Sequence, residues 1–210
     1  MADIDLGLRL AELLATKLCH DISGPLNTML GAADVAEDDP SATAEAFGLM
    51  VDASKGMAAR LQICRAAWGG GGAMSGPAFA KLASNLEGRR FRLDLQRLET
   101  GVDFSADAAR ILLNILLVAG ESLPRGGVAA LQGNPSHDVI LQIDGPQAAW
   151  PADFMALLAD PAEAWAMLDD PARLQTQLTV LLAAQAGIRI SVLMGNTATP
   201  APPLLIALGT

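Results

Sequence analysis

A run of four glycines divides this chain into two parts with different sequence patterns. Residues 68–77 read WGGGGAMSGP, and such a run is entropically costly to order, while Pro77 follows closely. A glycine-rich loop can hold phosphate, but that use needs a strand before it, a helix after it and usually a lysine. Here a helix is predicted before the run and no Lys-Ser or Lys-Thr pair follows. We therefore interpret it as a linker between a domain at 1–70 and a domain at 77–210.

Composition narrows the class of protein and of partner. The chain has 210 residues, of which 51% are hydrophobic, so it can bury real cores. Aromatic residues make up only 4%, so those cores must be mainly aliphatic. The net charge of −9 argues against nucleic acid and anionic membrane surfaces as partners, and is otherwise the charge of an ordinary soluble protein.

Signals for export or membrane insertion are not recognised in the sequence. The start, MADIDLGLRL, carries two acidic residues and no basic segment before its apolar stretch. The longest apolar run, ILLNILLVAG, is far shorter than the ~20 residues of a spanning helix. Cys19 and Cys64 are too few for a disulfide scaffold. We expect a cytoplasmic protein.

The first part predicts a helical hairpin. Apolar positions recur every three or four residues from about Ile4 to Val35 and again from about Ser41 to Trp68. Between them, Pro40 suits a first helical position, with Asp39 as its cap. Because two helices bury such seams poorly, we expect two hairpins to pair as a dimeric four-helix bundle.

The second part mixes strand and helix patterns and predicts an α+β domain. Strands are expected at FRLDLQRL, GVAALQG, HDVILQIDG, IRISVLMG and PPLLIALG. Helices are expected over about 107–123, 152–168 and 171–186. Helices packed on a mostly antiparallel sheet make a two-layer α/β sandwich.

His20 is the candidate reactive group of the hairpin. At about 100° per residue, it lies opposite the centre of an apolar stripe and should face solvent; the stripe comprises Leu14, Leu18, Ile22, Pro25, Leu26, Met29 and Ala33. Gly24 and Asn27 follow on the face of His20 and leave room for a partner, although glycine on a solvent face can also be merely tolerated. A neutral imidazole can attack phosphorus. Lys17, one turn earlier, could pair with a phosphoryl group or simply be solvated.

The segment HDISGPL, residues 20–26, resembles the phosphoacceptor box of dimeric sensor histidine kinases, in which Asp21 would be the adjacent acid and Pro25 would bend the helix. The nucleotide motifs of those kinases are incomplete. In LLNILLVAGESLPRGG, Val118 occupies the position of the magnesium-binding asparagine, and Asn114 lies one turn earlier. IDGPQ retains Asp144 of the nucleotide loop but lacks its second glycine.

An intact histidine box on a degenerate kinase frame is similar to the ChpT-type histidine phosphotransferases of bacterial phosphorelays. The resemblance implies that His20 accepts a phosphoryl group from one receiver-domain aspartate and passes it to another, without ATP. It implies response-regulator receivers and a hybrid kinase receiver as partners, a homodimer, supporting or docking roles for Lys17, Asp21, Gly24 and Asn27, and no cofactor or metal of its own, because magnesium would sit on the receiver.

Two other functions are compatible with the residues. A kinase-like scaffold could bind response regulators without chemistry, and His20 would then be dispensable for their phosphorylation. An active ATP-dependent kinase would need measurable affinity for ATP. A second His-Asp pair, at His137, lies before a predicted strand without a matching proline, so we interpret it as structural.

Overall fold

The computed structural model describes residues 2–88, 90–193 and 201–209, with side chains from residue 5 onward. It has the predicted α+β class, with long helices first and a mixed sheet after them. The chain divides into two compact units, residues 1–62 and 63–210. This boundary lies within the second long helix, whereas the sequence analysis placed it at the glycine run; the domain limits 1–70 and 77–210 stay a prediction.

The first unit contains the predicted hairpin, formed by α1 (Ala2–Asp38) and the larger part of α2 (Thr43–Trp68). The turn between them is a short 3-10 helix, Pro40–Ala42, capped by Asp39 as predicted. The hydroxyl and backbone N–H of Ser41 donate to the Asp39 carboxylate at 2.7 and 2.8 Å. These bonds lower the pKa of Asp39, so the cap stabilises the turn at neutral pH and weakens as pH falls through that lowered value.

The predicted apolar stripe of α1 is only partly buried in the single chain. Leu14, Leu18, Ile22, Pro25, Met29 and Ala33 are half-buried, and Leu26 is 43% exposed. The most buried described side chains of α1 are instead Leu13, Lys17 and Ala32. In the single chain, α1 thus keeps its main apolar stripe half in water.

The second unit is built on a five-stranded sheet. Its strands, in the spatial order β2-β4-β5-β7-β6, are β2 (Phe91–Leu98), β4 (Gly127–Gly133), β5 (Asp138–Asp144), β7 (Leu204–Ala207) and β6 (Arg189–Val192). The pair β2–β4 is parallel, and the other three pairs are antiparallel. A separate two-stranded sheet pairs β1 (Met74–Ser75) with β3 (Asp103–Phe104).

Two helices cover one face of the large sheet. They are α4 (Ala106–Glu121) and α7 (Leu174–Gln185), which contact each other and the sheet. Every residue of α4 from 111 to 119 is buried. Strand residues alternate, with Leu131 and Leu141 buried and Gln142 exposed, so the second face of the sheet meets solvent. In the part of the chain that the structure describes, no helix combines the length and apolarity needed to cross a membrane.

Two sequence predictions in this unit were wrong. The segment 68–77 was expected to be linker only, but α3 (Gly76–Ala83) begins inside it, with Pro77 in its first turn and the Ser75 hydroxyl capping it. The single helix expected over 152–168 is instead two short ones, α5 (Phe154–Ala159) and α6 (Glu163–Ala166). The break falls at Asp160, whose backbone is not helical, because Pro161 disfavours helical geometry in the residue before it.

Gly76 gives a direct test of packing at the end of the glycine run. A Cβ atom there would lie 2.0 Å from the carbonyl oxygen of Thr100, whereas one at Gly72 would meet nothing within 4 Å. We expect Gly76→Ala to lower the free energy of unfolding by more than about 1 kcal/mol, because backbone must move to admit the methyl group. Chemical denaturation measures this, with Gly72→Ala as the matched control; equal effects of the two substitutions would contradict the packed arrangement.

Candidate functional site

His20 lies in the middle of α1 with its imidazole in solvent. Its side chain is 88% exposed, in agreement with the helical periodicity that places it opposite the apolar stripe. Two turns of small or polar residues follow on the same face, where Gly24, Asn27 and Gly31 are all exposed. A Cβ atom on Gly24 or Gly31 would meet nothing within 4 Å. The ring is therefore open to approach by another molecule.

Asp21 lies beside the ring and is held from the second helix. One carboxylate oxygen, Oδ1, is 3.6 Å from His20 Nδ1. The other, Oδ2, accepts a 2.7 Å hydrogen bond from Nη2 of Arg60, on α2. The Asp21 side chain is only 15% exposed and that of Arg60 34%. Sequence reasoning did not select Arg60, since a contact spanning 39 positions leaves no trace in local periodicity.

The other site residues predicted from the sequence differ in their exposure to solvent. Gly24 and Asn27 lie on the exposed face that follows His20. Lys17, which the sequence analysis placed one turn before His20, is a buried residue with 9% exposure. Its supporting role stays a prediction.

The second His-Asp pair has a different setting. His137 is exposed at the turn between β4 and β5. Its carbonyl oxygen accepts backbone hydrogen bonds from Leu208 and Gly209, at 2.6 and 2.8 Å. The backbone of His137 thus joins the turn to the end of β7.

The kinase-like motif residues of α4 are committed to internal packing. Val118 and Asn114 are both completely buried. Nδ2 of Asn114 donates to the carbonyl oxygens of Ala67 and Arg110, at 2.7 and 2.9 Å. Its Oδ1 accepts from Gln175 on α7, at 3.0 Å. Asn114 therefore ties the end of α2 to α4 and α7 rather than facing a ligand.

The IDG segment, which resembles part of a nucleotide loop, packs closely against the backbone of the LPRGG segment. Asp144 is exposed at the end of β5. A Cβ atom on Gly145 would lie 2.3 Å from the carbonyl oxygen of Gly126, and one on Gly127 would lie 2.2 Å from that of Asp144. The glycines of the LPRGG and IDG segments thus allow two backbones to touch, which accounts for them without a nucleotide.

Acidic, histidine and cysteine side chains do not gather into a metal centre in the described residues. Across 2–88, 90–193 and 201–209, no group of three or more such side chains could hold an ion. The carboxylate nearest to His20 is Asp21, whose Oδ2 is already bonded to Arg60.

The chain thus consists of a hairpin that exposes His20 and, after it, a sheet covered by two helices. Residues 78–198 match the family described as histidine phosphotransferase C-terminal domain. The chain is 28% identical over 191 residues to protein phosphotransferase ChpT of Brucella abortus strain 2308, with 88% of this chain and 90% of that protein covered. A solved structure of a bacterial phosphotransferase matches with a TM-score of 0.73, 25% identity and 95% coverage of each chain.

The chain belongs to the histidine phosphotransferase family. Its family match covers more than half of the sequence, and the relatives match it over most of their length. The resemblance that the histidine box and the degenerate kinase frame predicted is therefore confirmed, as is phosphotransfer as the kind of activity.

The structural role of Asn114 can be tested by substitution. We expect Asn114→Ala to lower the free energy of unfolding by about 2–3 kcal/mol, because the substitution removes the hydrogen bonds that the side chain makes with Ala67, Arg110 and Gln175, each worth about 1 kcal/mol. Urea denaturation measures the change. Gln185→Ala, at an exposed position of α7, is the control and should have little effect; a loss no larger than the control's would contradict the buried network.

Proposed function

We propose that this chain is a phosphorelay phosphotransferase in which His20 carries the phosphoryl group between receiver-domain aspartates. The observation that carries the proposal is the 88% exposed imidazole in a chain of the histidine phosphotransferase family. A receiver bears its phosphorylated aspartate in its own active site, so only an acceptor that projects freely from its protein can enter there. We propose that the exchange takes place in the cytoplasm.

The chemistry follows from the two nitrogens of the ring. With its proton on Nδ1, near the Asp21 carboxylate, the imidazole presents the lone pair of Nε2 to the incoming phosphorus. The Nε2–P bond forms as the P–O bond of the aspartyl phosphate breaks, and the receiver's carboxylate leaves. The ring becomes a phosphoimidazolium, still protonated on Nδ1. Transfer to a second receiver reverses these steps and releases neutral imidazole, so the proton need not move.

The chain itself supplies the acceptor and the surface around it. Gly24 and Gly31 cost the helix up to about 1 kcal/mol each relative to alanine, and neither packs against anything that would require glycine. Together with exposed Asn27, they make a flat surface beside His20 that suits close docking of a receiver. Lys17, one turn before His20, is retained as a supporting residue of this proposal.

We propose that this chain uses neither a magnesium ion of its own nor ATP. In phosphoryl transfer a divalent ion neutralises the developing charge on the phosphoryl oxygens, and we assign that ion to the receiver. The burial of Val118 and the internal hydrogen bonds of Asn114 support transfer without ATP, because neither residue offers an oxygen ligand to a nucleotide-bound ion.

Incubation with a phosphorylated receiver domain and magnesium tests the proposal. We expect an acid-labile, base-stable phosphate to appear on the wild-type chain, which is the stability pattern of phosphohistidine. His20→Ala should abolish this label. His137→Ala removes the other histidine of the chain and should leave the label intact.

The same assay separates the competing functions. A protein that binds the receiver but never acquires the label is the non-catalytic scaffold. A chain that acquires label from ATP alone is a kinase. Either result, or a label that persists in His20→Ala, rejects transfer through His20.

We further propose that two copies pair through their hairpins. Of the nine exposed large hydrophobic side chains among the described residues, seven lie in the first unit; they are Leu8, Leu26, Leu30, Val35, Phe47, Leu49 and Leu61. A groove of about 310 Å³ between α1 and α2 near the 3-10 turn includes Val35 and Leu49 in its lining. An apolar surface concentrated on one hairpin supports self-association, since a second hairpin offers the same surface.

Phe47→Glu tests the dimer. Phe47 is 62% exposed in the single chain, so a charge there should leave the hairpin folded. In a dimer that covers this side chain, the carboxylate would be desolvated, and we expect dimer dissociation to become at least about tenfold easier. Sedimentation velocity measures this, with Trp165→Glu, at an exposed site of the second unit, as the control. Equal dimer stability in the two variants would contradict the proposed interface.

A further inference from the structure

Arg60 joins the two helices of the hairpin at the level of the reactive histidine. Its Nη2 donates to Asp21 Oδ2 at 2.7 Å, while Asp21 Oδ1 lies 3.6 Å from His20 Nδ1. The two oxygens of one carboxylate thus face different groups, a guanidinium on α2 and the imidazole on α1. Exposure is lowest at the Asp21 side chain, at 15%, and is higher at both of its neighbours, 34% for Arg60 and 88% for His20.

The position of the carboxylate needs an external cause. Consecutive residues of a helix do not face each other, so nothing in α1 alone directs Asp21 toward the ring of His20. A carboxylate that is largely removed from water also needs a cation or several donors to remain ionised. The charge-assisted bond from Arg60 meets both requirements, because it neutralises Asp21 and fixes the plane of its carboxylate.

We propose that Arg60 is a positioning residue for phosphotransfer, acting through Asp21. Arg60 holds Asp21 so that Oδ1 favours the proton on Nδ1 of His20, and the lone pair of Nε2 then points into solvent. This inference rests on the proposed function and adds to it a residue that does not touch the phosphoryl group.

The charge of Arg60 has a second effect. A bare carboxylate beside the ring would repel an incoming phosphoryl dianion, whereas the Arg60–Asp21 pair has no net charge. The pair can therefore direct the proton of the ring with little opposition to the approach of phosphate. Asp21 without Arg60 would orient the ring less well and repel the donor more strongly.

The tautomer of His20 tests the inference without any phosphotransfer. The chain has two histidines, so the imidazole nitrogens of a ¹⁵N-labelled sample give two assignable sets of NMR signals, with exposed His137 as an internal reference. At pH 8, where an ordinary imidazole is neutral, we expect His20 to carry more of its proton on Nδ1 than His137 does. Arg60→Gln and Asp21→Asn should both move His20 toward the Nε2–H form.

Two further variants make this measurement specific. Arg60→Lys keeps the cation and should retain most of the wild-type tautomer ratio. Arg65→Gln removes the same charge from an exposed position of α2 and should change nothing. If the ratio of the two His20 tautomers is the same in Arg60→Gln as in Arg65→Gln, the positioning role is rejected. If circular dichroism shows that Arg60→Gln does not fold, Arg60→Lys and Asp21→Asn still test the positioning role. A His20 tautomer ratio in Asp21→Asn that equals the wild-type ratio also rejects that role.

Rates of transfer from a phosphorylated receiver provide the functional readout. We expect Arg60→Gln to slow labelling of His20 by about tenfold or more, Arg60→Lys to recover part of that loss, and the double variant Arg60→Gln/Asp21→Asn to be no slower than Asp21→Asn alone. Additive losses in the double variant would overturn an action through Asp21. If the tautomer follows Arg60 but His20 never acquires label, the proposed function fails; if label forms at the wild-type rate in Arg60→Gln, only the positioning role fails.

Discussion

The helical repeat of α1 is the constraint on which the site depends. A helix with 3.6 residues per turn can bury one face and expose another, and α1 uses this to keep His20 in water while neighbouring positions pack. The repeat also leaves a stripe that one chain covers only in part, with Leu26 almost half exposed. The same helical repeat of α1 therefore produces both the partly exposed apolar stripe and the exposed imidazole.

Long periodic segments were predictable because their signals are local. The cap at Asp39 and the β4–β5 hairpin follow from turn residues, and the structure has both. Apolar spacing predicts α1 and α2, and their observed limits lie within about three residues of the predicted ones. Short elements were not. The helix α3 begins at a glycine followed by a proline, a pair that in sequence resembles a continuation of the linker, although Ser75 caps the helix and Pro77 lies in its first turn. What the sequence does not reveal is the close approach of Gly76 to Thr100, which is nonlocal.

The candidate site was predictable to the same extent and for the same reason. His20, Gly24 and Asn27 follow from position on a helical wheel, and all three are exposed as expected. Arg60 could not be found that way, because its significance comes from reaching Asp21 across the hairpin. The burial of Lys17 could not be predicted either, because a helical wheel gives the direction of a side chain but not the residues that pack against it. In the second unit, Asn114 illustrates how a residue near a motif position can serve packing alone.

The exposure of His20 also sets how long a phosphoryl group could stay there. In the described part of the chain nothing covers the imidazole, which keeps 88% of its surface in water. On the proposed function, a phosphorylated His20 would face bulk water between encounters with receivers, so its lifetime would be limited by hydrolysis whenever no receiver is bound. Because no part of the described chain has to move to uncover the ring, the phosphoryl group would be available to whichever receiver docks next.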